Sequence, residues 1–280
     1  MRNEGKTESP DIKLQVLIVA YGKKGIESVA TLSHPEVAGV EYIVSWQYAD
    51  DEPVIPESLL RRKDFRVLPT PTRGVARNRN LALDAASAPI VLESDDDVSY
   101  TIGQLRSVIK AFAERPECDF LSFKYHSSLH PRPYPETESD LSHPPKGYFI
   151  GGIEMAFRLG SVRKNNIRFN ELFGIGSIFP SAEEDIFLHD VIKAGLKARF
   201  VPIEICTHES TSTYMRMAFT PEFITTKGAV HEIINPRTWP LRMIVHSLRE
   251  TRKYDLPAKF NYCLNWVKGA RKLRRLRRKR

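Results

Sequence analysis

Three adjacent carboxylates, Asp95-Asp96-Asp97, are the residues with the clearest chemical potential. Carboxylates this close repel one another unless a cation neutralises them. Mg²⁺ and Mn²⁺ prefer oxygen ligands and often share their coordination with the phosphates of a substrate. The triplet therefore predicts a site for a divalent ion. The alternative is a solvated acidic turn that caps the next helix.

A second chemical feature lies about twenty residues upstream, where Gly74-Val-Ala-Arg77-Asn78 opens a segment of helical character. A glycine at a helix entrance, followed by Arg and Asn, suits recognition of a phosphate or a nucleotide. The alternative is an amphipathic helix with solvated basic residues.

The segments that must position these residues alternate between short apolar strands and helices. Strands are predicted over residues 14–20, 40–45, 66–68, 90–92, 120–123 and 198–205, and helices over residues 26–32, 74–86, 102–114 and 184–194. This alternation predicts an α/β domain with a largely parallel sheet flanked by helices. Ligands bind such sheets at the carboxyl ends of the strands, where the acidic triplet lies.

The domain is predicted over residues 12–215, with a nucleotide half to about residue 100 and an acceptor half beyond it. Residues 127–147 are rich in Pro, Ser and His, which is typical of a functional lid or a mobile segment. Residues 216–280 are predicted to form a helical, basic C-terminal extension.

The order of the motifs resembles that of the family 2 glycosyltransferases, which have the GT-A fold. Val16–Tyr21 is similar to the family's opening strand, Gly74–Asn78 to its Gly- and Asn-bearing helix, and Asp95–Asp97 to its D-x-D signature. The family's second acidic motif, E-D at the start of a helix, is matched by Glu184-Asp185, and its lead-in by Ile167–Phe173. The resemblance covers roughly residues 13–212.

The resemblance implies a role for each acidic residue. Asp95 and Asp97 would hold Mn²⁺ or Mg²⁺ on the diphosphate of a nucleotide sugar, and Asp96 would help to place the sugar or the ribose. Asp185 would be the general base that accepts the proton of the acceptor hydroxyl, with Glu184 beside it. The alternative for Glu184 and Asp185 is acidic enrichment in the first turn of a helix.

Further positions follow from the same resemblance. His208 is placed as a metal or diphosphate ligand, against the alternative of a structural or surface histidine. Gly151 and Gly152 are placed where the sugar meets the backbone, against an ordinary turn. Ala20 and Tyr21 end the opening strand and are expected to line the nucleotide site. One carboxylate acting on the acceptor implies single displacement with inversion, because nothing marks a nucleophile on the sugar.

The sequence departs from the family after the second strand, where many relatives have an Asp-Asp-Gly-Ser-type segment that binds the base. Here residues 45–51 read SWQYADD. Gln47 or Asp50 would then recognise the base, with Trp46 or Tyr48 stacking on it. A UDP-sugar is the expected donor.

The net charge of +8 is concentrated at the C-terminus, since the last thirteen residues contain nine Lys or Arg and no acid, which leaves the rest at −1. The three cysteines, Cys118, Cys206 and Cys263, are scattered, as expected for buried thiols in a reducing cytoplasm. Residues 1–11 are polar, without a signal-like apolar core, and are interpreted as a frayed leader.

Residues 259–280 are predicted to form a helix in which Phe260, Leu264, Trp266 and Val267 lie among basic residues. Such a segment suits an anionic membrane surface. The expected protein is therefore peripheral at the cytoplasmic face of the cell membrane, acts on a glycan or lipid-linked acceptor, and contributes to synthesis of a surface polysaccharide or glycolipid. The alternative is a solvated basic end.

Two other functions are compatible with parts of the sequence. The basic tail fits nucleic-acid binding, although the nearly neutral body has no nucleic-acid motif, which disfavours that function. A sugar-nucleotide nucleotidyltransferase has a similar architecture, and Tyr21–Gly25 is a faint match to its Gly-rich loop.

Overall fold

The computed structural model describes residues 12–48, 53–210, 220–252 and 256–278, apart from the side chain of Glu250. The predicted leader, residues 1–11, and Asp50 lie outside the described residues. The predicted boundary at residue 215 also falls in a gap of the description, so the division into domain and extension stays a prediction.

One mixed, mostly parallel sheet forms the centre of the molecule, in the order β3-β2-β1-β4-β8-β6-β9-β5, with β7 paired to β9. The strands are β1 Leu14–Tyr21, β2 Val40–Gln47, β3 Phe65–Thr70, β4 Ile90–Asp95, β5 Val98–Ser99, β6 Phe120–His126, β7 Ser139–Asp140, β8 Met155–Arg158 and β9 Ala198–His208. The helices are α1 Gly22–Thr31, α2 Glu57–Leu60, α3 Val75–Ala85, α4 Ile102–Ala113, α5 Leu159–Lys164, α6 Glu183–Lys193, α7 Pro221–Ile234, α8 Trp239–Glu250 and α9 Leu256–Arg277.

Helices cover both faces of the sheet, which explains why β1 is apolar along almost its whole length. Val16 and Ile18 face a core shared with α1 and α4, whereas Leu17 faces a core shared with α3, α5 and α6. A strand buried on both faces has no polar side to alternate with. The predicted α/β class is thus confirmed.

The sheet topology brings two loops together. β1 is central and pairs in parallel with both β2 and β4, so the carboxyl ends of these three strands share one edge. The register places Val19 opposite Asp95, so the start of α1, directly after β1, lies beside the acidic triplet. This edge is where parallel α/β sheets bind ligands.

The predicted elements are all present, with differences at their ends. The helix expected from Ile26 begins at Gly22, directly after β1. Four short elements were not predicted, α2, β5, β7 and α5, and β8 was missed as well. These are two to six residues long, too short for a periodic pattern, and β8 is the antiparallel strand that makes the sheet mixed.

The C-terminal helices pack on the domain and on one another. Ala229 and Val230 of α7 and Leu273 of α9 join a cluster that includes Ile186 of α6. The expectation that Trp266 belongs to an exposed interfacial row is wrong: it has no exposed surface and stacks on His231, with ring centroids 4.9 Å apart. Apolar packing between helices outweighs the preference of Trp for an interface.

No helix among the described ranges is long and apolar enough to cross a bilayer. Cys118 and Cys206 are buried free thiols, as the sequence predicts, whereas Cys263 is free but only half-buried.

Two glycines allow α7 and α9 to touch through their backbones. A Cβ at Gly228 would overlap the carbonyl oxygen of Trp266, and a Cβ at Gly269 would overlap that of Thr225. Backbone atoms inside helices cannot move aside without breaking the packing. This close approach holds α9 on the domain.

We therefore expect Gly228→Ala or Gly269→Ala to lower the free energy of unfolding by about 1–3 kcal/mol, because the added methyl overpacks the contact. Urea denaturation measures the loss. Gly160→Ala in α5 is the matched control, since its Cβ would meet open space. Equal losses of stability in all three variants would contradict a close contact between α7 and α9 at these glycines.

Candidate active site

The acidic triplet is positioned by the end of β4 and by the start of α1, which directly follows β1. Asp96 accepts a hydrogen bond from the backbone N–H of Tyr21, at 3.2 Å. A Cβ at Gly25 would collide with the carboxylate of Asp96, so a larger residue there would displace that carboxylate. Burial, opposed by this hydrogen bond, raises the pKa of Asp96 to about 6. Tyr21 and Asp96 thus lie together, and contact of either residue with a nucleotide sugar stays a prediction.

His208 meets the triplet because β5 follows it directly and pairs with the end of β9. The antiparallel register places Val98 opposite His208. His208 Nε2 then lies 3.2 Å from Asp97 Oδ2. Burial alone would raise the pKa of Asp97 and lower that of His208, but their mutual contact reverses both shifts. The pair favours an anionic carboxylate beside a protonated imidazole.

Arg79 is the central cation of the site. Only 2% of its side chain is exposed, and it donates to Glu93 at 3.1 Å and to Asp95 at 2.8 Å. Burial alone would lower the pKa of Arg79, but Asp95, Glu93 and the first turn of α6 raise it. Burial raises the pKa of Glu93 to about 7. Arg79 therefore offsets a buried concentration of negative charge.

The first turn of α6 approaches this cluster from the acceptor half. Glu183 is buried and Glu184 half-buried, and burial raises the pKa of both carboxyls. Two glycines make room for them. A Cβ at Gly174 would lie 3.0 Å from Glu183 Oε2, and one at Gly152 would lie 3.3 Å from Glu184 Oε1 and collide with Arg79.

The turn that starts α6 is itself strained. Ala182, the residue before the helix, has φ +74° and ψ +22°, in the left-handed region. This conformation costs a residue other than glycine about 1–2 kcal/mol. The packing around α6 must therefore compensate for this conformational cost, which is linked to the direction in which the acidic turn enters the site.

Asp185 differs from its two neighbours in that its side chain stays accessible to solvent. The protein that surrounds it still desolvates the carboxylate, and Glu184 adds a like charge; together they raise its pKa to about 7. Arg132 opposes this shift. Asp185 thus combines access to a substrate with a proton affinity suited to a general base near neutral pH.

Residues 127–147 pack against the site through hydrogen bonds to residues distant in the sequence. Glu209 accepts hydrogen bonds from the backbone N–H groups of Ser128 and Leu129, both at 3.1 Å. Arg132 and Tyr134 both bind the fully buried carboxylate of Glu154, with Tyr134 Oη at 2.6 Å. The role of this segment as a lid stays a prediction.

Gly151 and Gly152 lead into the 3₁₀ turn Gly152–Glu154. The backbone N–H of Gly151 donates to Glu154 Oε2 at 3.1 Å. Gly152 lies against Arg79 and Glu184, as described above. The two glycines therefore bring the backbone into the site, and contact with a sugar there stays a prediction.

Several residues predicted to bind the nucleotide have positioning contacts in the structure. Asn78 is buried; it accepts from Ser45 Oγ at 2.5 Å and donates to the carbonyl of Ala20 at 3.2 Å. Gln47 is also buried and donates to the carbonyl of Gly74 at 3.1 Å. These contacts join β1, β2 and the start of α3. Direct contact of Ala20, Asn78 or Gln47 with a ligand stays a prediction.

Trp46 cannot stack on a base as proposed from the sequence. It is 3% exposed, and its Nε1 donates to the carbonyl of Gly22 at 2.9 Å. Its ring belongs to the core under α1. The position of Trp46 in β2 directs its ring into this core, whereas aromatic character alone does not indicate whether a side chain is exposed.

A polar cleft of about 320 Å³ opens at the N-terminus of α3. Gly74 precedes the helix with φ +100°, a conformation that favours glycine. Arg77 lines the cleft together with Arg73 and Ser177, and it pairs with Glu171 at 3.0 Å. A positive helix end with two guanidinium groups suits an anionic ligand.

The chemistry of the residues around the triplet fits a hard divalent ion. Within the described part of the chain, no three His, Cys, Asp or Glu side chains converge closely enough to hold a metal by themselves. Asp97 and His208 nevertheless adjoin, and Asp95 keeps 37% of its side chain exposed. An ion that takes part of its coordination from substrate phosphates needs only one or two such protein ligands.

Sequence reasoning missed Arg79, Glu93, Arg132, Tyr134 and Glu154. A signal for Arg79 exists: Ala76, Arg79, Asn80 and Leu83 follow helical i, i+3, i+4, i+7 spacing, and all four are buried. An arginine on the apolar stripe of a helix indicates a buried partner. Arg132 and Tyr134 meet Glu154 through tertiary structure, for which the sequence carries no local signal.

Comparisons with known proteins agree with this architecture. The family model "Glycosyl transferase family 2" matches residues 47–179. The fold is similar to crystal structures of S. aureus TarS. One chain is 17% identical, with a TM-score of 0.60, over 91% of this chain and 55% of that one, so the present chain spans about half of its length. No curated protein matches the sequence.

A shorter TarS fragment, residues 1–349 of that protein, was crystallised in complex with UDP-GlcNAc and with UDP. The UDP-GlcNAc complex is 16% identical, with a TM-score of 0.58, over 94% of this chain and 92% of the fragment. The UDP complex is 16% identical with a TM-score of 0.56 and the same coverage. The GT-A expectation for the fold is thus confirmed.

We expect Arg79→Met to lower the free energy of unfolding by about 3–5 kcal/mol, because it leaves Glu93 buried without its cation. Arg77→Met is the matched control two residues away. Its ion pair with Glu171 is half-exposed, so the loss should stay below about 1 kcal/mol. Urea denaturation of both variants measures the change in the free energy of unfolding. Equal losses in the two variants would show that Arg79 does not have this central role.

Proposed function

We propose that the chain is an inverting glycosyltransferase that moves a hexosyl group from a nucleotide-diphosphate sugar to a hydroxyl acceptor, and the match of residues 47–179 to the glycosyl transferase family 2 model supports this proposal. The observation that carries this proposal is the meeting of two acidic motifs. Arg79 donates to Asp95 at the carboxyl edge of the sheet, and both Arg79 and Glu184 lie beside Gly152, so the two motifs meet at one cation. One motif suits a diphosphate with its counter-ion, and the other suits an acceptor hydroxyl.

The donor diphosphate is proposed to lie over the triplet and the start of α3. One or two of Asp95, Asp97 and His208 would hold Mn²⁺ or Mg²⁺ together with the substrate phosphates, with Asp96 placing the sugar or ribose. The ion, when bound, supplies positive charge that stabilises the departing nucleoside diphosphate. Arg77 lines the adjacent cleft and supports this placement. Arg79 keeps Asp95 oriented through a 2.8 Å hydrogen bond.

Asp185 is proposed to accept the proton of the acceptor hydroxyl as that oxygen attacks the sugar. Its accessible carboxylate and raised pKa support this role. Glu184 contributes by its charge, which keeps the proton affinity of Asp185 high. Attack by the acceptor opposite the leaving diphosphate gives a single displacement, and therefore inversion.

The identity of the donor is proposed from the similarity of the fold. A UDP-sugar is favoured because the similar TarS fragment binds UDP-GlcNAc. Gln47, the last residue of β2, and Asp50, three residues further along the sequence, are still proposed to recognise the base. The acceptor is proposed to be a glycan or a lipid-linked glycan, used in synthesis of a surface polysaccharide or glycolipid at the cytoplasmic membrane face.

Calorimetric titration with UDP, GDP and dTDP, each with and without Mn²⁺, tests the donor site. We expect one nucleotide to bind in a metal-dependent manner, and the double variant Asp95→Ala/Asp97→Ala to abolish that binding. Asp84→Ala is the control, since Asp84 forms an exposed pair with Arg168. The absence of binding by all three nucleotides would make the triplet a structural turn.

The pH dependence of turnover tests the general base. A base acts in its deprotonated form, so kcat should rise as the pH passes through about 7, the raised pKa of Asp185. Asp185→Asn should lower kcat about 10²–10⁴-fold and remove this rise. Release of nucleoside diphosphate from the nucleotide sugar measures the rate. Asp190→Asn, in the same helix, should retain the rise; an unchanged profile in Asp185→Asn would exclude the role.

A further inference from the structure

Helix α8 carries a row of exposed apolar side chains. Leu241, Ile244, Val245 and Leu248 follow i, i+3, i+4, i+7 spacing and are exposed by 65%, 49%, 56% and 61% respectively. This spacing is that of a single helix face. An apolar face of a helix is ordinarily turned towards the core, so its exposure indicates a contact surface.

The opposite face of α8 fixes this orientation. Trp239 and Met243 join a cluster with Trp266 of α9, and Ser247 is buried. The helix therefore cannot roll to bury its apolar row without uncovering an existing core. The row is a fixed feature of the folded chain.

The exposed apolar surface is concentrated in this region. Fifteen large apolar side chains are exposed in the part of the chain that the structure describes, and seven of them lie on α8 and α9. The three on α9 are Leu256, Phe260 and Leu264, at i, i+4, i+8 spacing. Scattered single residues are ordinary, whereas two helical rows in consecutive helices indicate a partner.

The charge around the row identifies the chemistry of that partner. Residues 220–280 contain sixteen Lys or Arg and four Asp or Glu, a net charge of +12, whereas residues 1–219 carry −4. On α8 itself, Arg242 and Arg249 are exposed and seven residues apart, so they flank the apolar row on one side. The partner must accept aliphatic side chains and also be anionic.

We propose that the exposed face of α8, made of Leu241, Ile244, Val245 and Leu248 and flanked by Arg242 and Arg249, docks the protein on an anionic lipid membrane. An anionic bilayer offers acyl chains to the aliphatic row and head-group charge to the arginines. A second copy of the chain would bring two surfaces of the same positive sign together. A nucleic acid would offer phosphates but nothing to the aliphatic row.

This inference relocates the membrane contact. The sequence pointed to residues 259–280, but Trp266 of that segment is buried and Arg274 pairs with Glu232 at 2.7 Å. The α8 face supplies the apolar contact, and the basic end of α9 adds long-range attraction. The proposal does not depend on the glycosyltransferase activity, since it concerns a surface outside the acidic site.

Flotation of the full chain with lipid vesicles tests the proposal. Vesicles of equal parts phosphatidylcholine and phosphatidylglycerol should retain the protein, and vesicles of phosphatidylcholine alone should not. The variant L241S/I244S/V245S/L248S should lower the partition coefficient about tenfold or more. R242Q/R249Q should lower it about fivefold for each charge removed. All six side chains are exposed, so circular dichroism and thermal unfolding should match the unaltered chain.

The matched control is V54S/L60S/I102S/L129S, which removes four exposed apolar side chains elsewhere. It should change partitioning less than twofold. Unchanged partitioning of the α8 variant would overturn the proposal and leave the basic end as the membrane contact. Failure of the unaltered chain to bind anionic vesicles would also overturn it. Sedimentation velocity that shows a dimer lost only in the α8 variant would assign the face to a second copy instead.

Discussion

The buried guanidinium of Arg79 is the interaction on which the site depends. Glu93 and Asp95 pair with it directly, and Glu183 and Glu184 lie close enough for it to oppose the rise of their pKa values. Carboxylates at this density would repel one another and draw in water or protons. One cation that cannot lose its proton at physiological pH keeps the cluster compact. The two acidic motifs can therefore share one edge of the sheet before any ligand arrives.

Glycine supplies the space that this arrangement needs. Gly25 admits the carboxylate of Asp96, Gly152 admits Arg79, and Gly174 admits Glu183. Gly25 lies in the first turn of α1, and Gly152 and Gly174 lie in connections, so none of the three interrupts the pairing of the strands. The sheet thus provides rigidity and its connections provide the chemistry. Residues 127–147 extend the same principle, since Glu209 and Glu154 accept hydrogen bonds from this segment.

The sequence predicted elements and motifs well, but it predicted contacts poorly. An apolar run such as Leu14–Tyr21 predicts a strand buried on both faces, and the adjacent carboxylates of Asp95–Asp97 predict an ion site. Both signals are local in the sequence. The meeting of His208 with Asp97 depends on a two-residue strand that leaves no periodic trace. The amides of Asn78 and Gln47 join strands to α3, which their residue type did not predict, and their contact with a ligand stays a prediction. Polar residue type indicates a need for partners, and only the fold decides which partners satisfy it.

The two parts of the chain carry net charges of opposite sign, which orients the protein at a charged surface. Residues 1–219 carry −4 and contain the acidic site, whereas residues 220–280 carry +12 and contain the apolar row of α8. An anionic surface therefore repels the first part weakly and attracts the second strongly, so the protein approaches it with the helical extension first. Because Gly228 and Gly269 lock α7 against α9, and α7 packs on α6, this orientation is transmitted rigidly to the helix that carries Asp185. Under the proposed docking, packing alone would then hold Asp185 at a set orientation to the membrane.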